Sequence, residues 1–280
     1  MSFTVLLVVL FAAVLHASWN ALIRASLNKL HDTVLVVLGA AAWMLIFLPK
    51  IPFPAPESWP YLAVSVCIHV VYFILVAFSY RSGQLSLIYP LMRGTAPVLS
   101  MIAAAIFIKE LPSLGGWIGV ILISCGILAL SGDSVRFGTF DVSSTIYALA
   151  NVGVIVTYTL VDGQGVRFSG NALSYTGWMF LMTALLLLAL FFAVRGKEIY
   201  RIVRAGWRRG LLGGGCSLAS YSLVLWAMTN APIALVAALR ETSVIFAAII
   251  AAFLLKEPFS RLRYASIFTV TIGAIVMKVF

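Results

Sequence analysis

Apolar residues in this chain do not alternate. They run in blocks separated by short polar breaks. A block of about 20 apolar residues is the length that carries a helix through a bilayer. Ten such blocks predict ten helices, near residues 3–24, 31–49, 59–82, 86–108, 112–131, 142–162, 171–194, 208–230, 232–255 and 259–279. The breaks carry turn chemistry, as in PKIPFPAPESWP (49–60) and SGDSVRFGTFD (131–141), and the longest basic stretch is RGKEIYRIVRAGWRR (195–209). No break is long enough to fold as a domain outside the membrane, so the expected fold class is an all-α polytopic membrane protein that works within the bilayer.

Composition agrees. The 280 residues are 62% hydrophobic and 10% charged, with a mean hydropathy of +1.08. Soluble domains are about 45–50% apolar and about 25% charged, which excludes that class. A net charge of +10 would point to nucleic acid in a soluble chain. Here the basic residues sit in short loops beside apolar blocks, where orientation and lipid headgroups account for them, so no nucleic-acid partner is expected. Cys67, Cys125 and Cys216 are far apart and odd in number. They form neither a disulfide framework nor a metal site and are expected as small buried hydrophobes. The stretch from Phe3 to Leu15 is a first span rather than a signal segment, because no basic residue precedes it and HASWN is a poor cleavage site.

An internal repeat emerges when residues 85–130 are laid on 232–277 without a gap. Nine of 46 positions are identical: Arg93/Arg240, Thr95/Thr242, Ile102/Ile249, Ala104/Ala251, Ala105/Ala252, Lys109/Lys256, Glu110/Glu257, Ser113/Ser260 and Gly126/Gly273. The aliphatic matches carry little weight; the Arg-x-Thr and Lys-Glu pairs carry more. Five spans per half is an odd number, so the second half enters the membrane upside down. Two inverted five-helix repeats, 1–137 and 138–280, are therefore expected, with a substrate site between them near the midplane.

The repeat singles out Arg93 and Arg240. Each is expected about 10 Å deep at 1.5 Å per residue, entering from opposite faces and flanking the midplane at different heights. A buried charge costs roughly 3 kcal/mol on insertion scales, so a duplicated one marks a substrate-binding or gating site, with a static structural lock as the alternative. Pro97 cannot donate to the carbonyl of Arg93, and Pro90, which follows Tyr89, likewise frees that of Ser86. Glu241 breaks the symmetry, since its counterpart is Gly94. Neighbours on a helix point about 100° apart, so Glu241 and Arg240 are not expected to share a face. Glu241 reads equally as an ion-pair partner or a proton carrier.

Other spans carry polar stripes at helical spacing: His16, Trp19 and Asn20 in span 1; His69, Tyr72 and Ser79 in span 3; Asn151, Tyr158 and Asp162 in span 6; Ser217, Ser220 and Tyr221 in span 8. Turned toward one shared cavity they would avoid lipid, although each alone also fits a helix–helix hydrogen bond. Asp162 is the weakest member, being placed at the headgroup end of its span. Spans 2, 5, 7 and 10 are smoother and carry small residues, Gly115-x3-Gly119 among them, which suits close-packed scaffold helices.

These residues carry a resemblance. Ten spans, a five-plus-five duplication, the Glu after spans 4 and 9 (FIKELPSLGGWIGVILISCGIL and FLLKEPFSRLRYASIFTVTIGAIVM) and the opening LHASWNALIRAS resemble the drug/metabolite transporter superfamily, EamA-type branch. A fainter likeness is to EamA-like proteins linked to phosphonate use. The resemblance implies a secondary transporter of the cell inner membrane that moves small metabolites by alternating access around a central cavity. A passive channel or a flippase for lipid-linked substrates on the same fold is the alternative.

Two arginines against one glutamate favour an anionic or zwitterionic metabolite over a cation. Lipid and a small-molecule substrate are the expected partners, with a proton open as coupling ion and a monomer or homodimer as the assembly. No cofactor, metal or enzymatic activity is expected: none of the three histidines lies in HExxH, and GxSxG does not occur. With both termini inside, external loops would hold thirteen basic residues against four internal ones. Loop charge therefore places the termini outside, whereas the resemblance implies that they lie inside.

Overall fold

The computed structural model describes residues 1–24, 26, 28–82, 85–130, 142–255 and 260–279, and among them every regular element is helical. The helices are α1 (Phe3–Arg24), α2 (Lys29–Phe47), α3 (Trp59–Ser82), α4 (Leu85–Ala103), α5 (Leu114–Ala129), α6 (Val142–Ser169), α7 (Ala172–Arg195), α8 (Glu198–Asn230), α9 (Ile233–Arg240), α10 (Ser243–Leu255) and α11 (Arg261–Val279). Helices α9 and α10 make one crossing, broken at Glu241–Thr242. Among the described residues nine crossings are long and apolar enough to span a membrane, and the apolar 16-residue α5 is the tenth. Large apolar side chains such as Phe3, Leu7 and Phe11 on α1 and Leu185, Leu186 and Leu190 on α7 are exposed. On a soluble protein such a surface would be a liability; on a ten-helix membrane protein it is the lipid-facing belt.

Corresponding helices of the two halves meet antiparallel. Helices α5 and α11 cross where a methyl on Gly119 would lie 2.7 Å from the carbonyl oxygen of Gly273, and one on Gly126 3.0 Å from that of Ser266. The sequence offset of 147 turns the first pair into the second. Between α2 and α7, Met44 packs on Gly177, and the ring of His31 lies 6.3 Å from that of Phe191. Residue number rises along one helix as it falls along the other, as inverted halves require. The same symmetry relates the α1–α8 contact to that of α3 with α6. The expected boundary at 137/138 lies outside the described residues.

Helices α2 and α8 touch backbone to backbone. A methyl on Gly39 would fall 1.9 Å from the carbonyl oxygen of Gly210, and one on Gly214 2.3 Å from the nitrogen of Ala40. Trp43 Nε1 donates to the Leu211 carbonyl at 2.9 Å, which fixes the register.

Three expectations are corrected. Helix α8 begins ten residues earlier than predicted, so the basic stretch is helix rather than loop. Its first turns are amphipathic: Ile199, Ile202 and Gly206 are buried while Arg201, Arg204 and Arg208 face outward, and Arg209 pairs with Asp32 of α2 at 3.1 Å. Helix α6 runs seven residues past its predicted end, to Ser169. The cysteines are not core residues: Cys67 and Cys125 are exposed and Cys216 is half-buried. Cys67 shares an outward stripe with Val64, Val71 and Ile74, one to two turns apart along α3.

Candidate functional site

Helix α4 enters from one face and α9 from the other, and each carries its arginine to the middle of the bundle. Arg93 lies eight residues into α4, about 12 Å, and Arg240 ends α9. Both are buried, at 6% and 3% exposure, and so is Glu241, at 2%. Arg93 Nη1 donates to Glu241 Oε1 at 3.1 Å; Arg240 donates to the same oxygen from Nε at 3.3 Å and from Nη2 at 3.2 Å. Two guanidinium groups from opposite halves of the chain thus share one carboxylate oxygen. The other oxygen, Oε2, is buried without a hydrogen-bond partner.

Two expectations change here. The arginines do not flank the midplane at separate heights but meet on one atom. Glu241 and Arg240 do touch, at the break between α9 and α10. Through the break the backbone bonds tighten to three-residue steps: Glu241 N to Ala238 O, Thr242 N to Leu239 O and Val244 N to Glu241 O, all at 3.0 Å. Adjacent residues in a turn of three still point about 120° apart, so the contact is made by the long Arg240 side chain reaching the Glu241 carboxylate. Gly94 marks the contrast in the first half: a methyl there would lie 2.6 Å from Leu128 Cγ, so α4 lies flat on α5 where the second half places its carboxylate.

His16 Nε2 meets Arg93 Nη2. A guanidinium only donates, so this nitrogen accepts and the imidazole is neutral with its proton on Nδ1. Trp19 packs edge-on to His16, ring centres 5.0 Å apart, with its indole Nε1 buried and unpartnered. Asn20 is not drawn in; its amide donates to the His16 carbonyl of its own helix at 2.8 Å. The group as a whole carries two guanidinium charges against one carboxylate.

The other polar stripes gather in a second group around Asp162. Asp162 is fully buried within the bundle. Tyr221 donates to its Oδ2 at 2.5 Å, Tyr175 to its Oδ1 at 3.2 Å, and His69 Nε2 stands 3.9 Å from Oδ2. The His69 ring lies 4.8 Å from Tyr158 and 6.5 Å from Tyr72. Tyr175 carried no signal in the sequence beyond being a tyrosine near a helix start. Ser220 donates to the Ala12 carbonyl at 2.7 Å and serves helix packing. The side chains of Tyr89 and Ser79, and Glu257 as a whole, lie outside the described residues.

At the end of the bundle that holds the termini, Glu110 ties four elements together. Its Oε2 accepts the Ile233 amide at the start of α9 at 2.8 Å, and its Oε1 pairs with Arg167 of α6 at 2.7 Å. Arg167 also donates to the carbonyls of Met228 and Ala231, at 2.9 and 3.1 Å. The duplicated Lys-Glu motif is thus, in its first copy, a clamp across the inter-half seam.

Residues 143–279 match the model of the EamA-like transporter family. The second half of the chain is thus similar to an EamA-like transporter domain. That domain supplies Asp162, Tyr221, Arg240 and Glu241, and its presence accords with the resemblance of the whole chain to drug/metabolite transporters. The protein is a multi-pass membrane protein, and the family match supports transport of some substrate. No curated protein sequence matches it. Twenty-eight chains of solved structures match. One of them, described only as the crystal structure of a protein, superposes with a TM-score of 0.74 at 17% identity over 99% of this chain and 98% of its own; at that identity the likeness is one of fold.

Proposed function

We propose that the EamA-like protein is a secondary active transporter of the cell membrane that carries a small anionic or zwitterionic metabolite by alternating access around a central cavity. One observation carries the reading: Arg93 and Arg240, one from each half, converge on a single oxygen of Glu241 while its second oxygen has no partner. Each guanidinium is a planar fork suited to a carboxylate, phosphate or phosphonate. The excess positive charge attracts such a group, and Glu241 Oε2 stands ready to accept from an ammonium on the same molecule. Because the halves enter from opposite faces, a rocking motion would pull the two arginines apart and remake their contacts through the substrate. The Glu110–Arg167 clamp closes the termini side in this conformation.

Counterflow in proteoliposomes tests the proposal, with succinate, phosphoserine, glycine and choline as probes of four charge classes. Saturable exchange of an anionic or zwitterionic probe, lost in Arg93→Ala and Arg240→Ala, is expected. Exchange confined to choline and surviving both substitutions contradicts it, and a non-saturable leak of all four would indicate a pore.

A further inference from the structure

Helix α8 begins with turns that a membrane crossing does not require. Its 33 residues run about 50 Å, against a hydrocarbon core about 30 Å thick, so its basic first turns stand at the headgroups. Arg209 pairs with Asp32 in the first turn of α2 at 3.1 Å, and His31 faces Phe191 near the end of α7, so the three helices reach that level together. Beside these turns they leave a groove of about 640 Å³. Leu38 of α2, Leu185, Leu188 and Phe192 of α7 and Val203 of α8 wall it. Leu185, Phe192 and Val203 are exposed, so the groove opens toward lipid. From Phe192 to Leu185 the apolar wall extends about 10 Å into the membrane. The polar side chains on it are Tyr200 and Arg204, one turn apart on α8.

Charge sets this groove apart from the rest of the lipid-facing surface. Among the described residues Arg204 and Arg208 have no acidic partner, whereas Arg195 pairs with Glu198 and Arg209 with Asp32. Arg204 and Arg208 are four residues apart and share a face of α8. The Arg208 guanidinium lies over the exposed Trp207 ring, 5.3 Å from its centre, which keeps it at the interface. We infer that the groove binds one anionic phospholipid of the leaflet opposite the termini, with its phosphate on Arg204 and Arg208 and one acyl chain against Leu188 and Leu185. A guanidinium grips phosphate through two parallel N–H bonds, and the Tyr200 hydroxyl is placed to donate to a further oxygen. The apolar wall alone would accept any acyl chain, and the arginines alone any anion. A lipid with a negatively charged head satisfies both. A zwitterionic head carries an ammonium beside its phosphate, which the two arginines repel. The site is separate from the Arg93–Arg240 group and does not depend on how that group is read. Because the lipid binds the folded protein, it stabilises the α2–α7–α8 packing by mass action.

Native mass spectrometry of the delipidated full-length protein in neutral detergent tests this, with dioleoyl phosphatidylglycerol, dioleoyl phosphatidylcholine and glycerol 1-phosphate as probes. One phosphatidylglycerol is expected to bind per chain, about 10-fold or more tighter than phosphatidylcholine. Glycerol phosphate, a head without chains, should not be retained. Arg204→Ala should bring phosphatidylglycerol down to the level of phosphatidylcholine. Leu188→Trp, which fills the groove and keeps both arginines, should weaken both lipids. Arg261→Ala removes an exposed charge on the same face, at the start of α11, and should change neither. Equal affinities for the two lipids in the wild type, or glycerol phosphate binding as tightly as phosphatidylglycerol, overturns the inference. Equal losses in Arg204→Ala and Arg261→Ala would mean a diffuse basic surface and overturn it too, as would unchanged lipid binding in Leu188→Trp. Should Leu188→Trp not fold, Ala189→Leu, which narrows the groove from an exposed position, decides by the same outcomes.

Discussion

Glu241 faces Arg93 and Arg240 through a single oxygen, so removing its charge leaves two guanidinium groups opposed in a dry interior. Breaking a buried pair by deleting one partner costs about 3–5 kcal/mol, because the remaining charge stays desolvated. Glu241→Gln is therefore expected to lower thermal stability in detergent far more than Arg93→Met, which leaves the Arg240–Glu241 contact in place. Equal melting temperatures for the two variants would show that the three side chains do not share one buried contact. The sequence revealed both arginines, because duplication set them in matching contexts. It did not reveal that they meet on one atom, at a helix break that no residue between Ala238 and Ile245 announces. Asp162 was legible as a charge, but not as a buried one in a helix that runs on to Ser169. Gly163 and Gly165 directly follow it and resemble a helix stop, whereas they are points of close approach: a methyl on Gly163 would lie 2.5 Å from Ile233 Cδ1 and one on Gly165 2.4 Å from the Tyr175 hydroxyl.

Helix pairs in this bundle are held at backbone contact, and that makes their glycines unequal. Gly39→Ala would drive a methyl into the Gly210 carbonyl and force α2 from α8, so it is expected to reduce the fraction of folded protein sharply in a thermal assay. Gly153→Ala meets nothing within 4 Å and should be neutral or stabilising by up to about 1 kcal/mol, from helix propensity alone. The reverse order would contradict the packing described. Of these contacts, the small-residue pattern on α2 and α5 was visible in the sequence, whereas its partner on α8 was masked by the surrounding basic stretch. The clamp makes a separate prediction. Arg167→Ala removes the pair with Glu110 and two carbonyl contacts, and a single cysteine at Ile233 in a cysteine-free background should then react faster with a thiol reagent from the termini side. An unchanged rate would show that the clamp does not close that side.

At the scale of the molecule, inverted halves place Ser26, Asn28, Gly196, Lys197 and the exposed arginines of α8 on the face opposite the termini, while Lys278 Nζ contacts the Met1 carbonyl on the other. The basic turns of α8 suit anionic headgroups, and loop charge assigns that face to the cytoplasm. Single cysteines at Ala55 and at Gly196 are expected to label from opposite sides, Ala55 from outside; labelling of Ala55 from the cytoplasm would reverse the assignment and agree instead with the sidedness the resemblance implies. The central claim is that the two halves bind substrate through one arginine each. Isothermal titration of the transported probe into wild type, Arg93→Ala and Arg240→Ala in detergent tests it most directly. Each loss of a charge-assisted hydrogen bond of about 1.5–3 kcal/mol should weaken binding roughly 10- to 100-fold. Unchanged affinity in either folded variant would contradict the account.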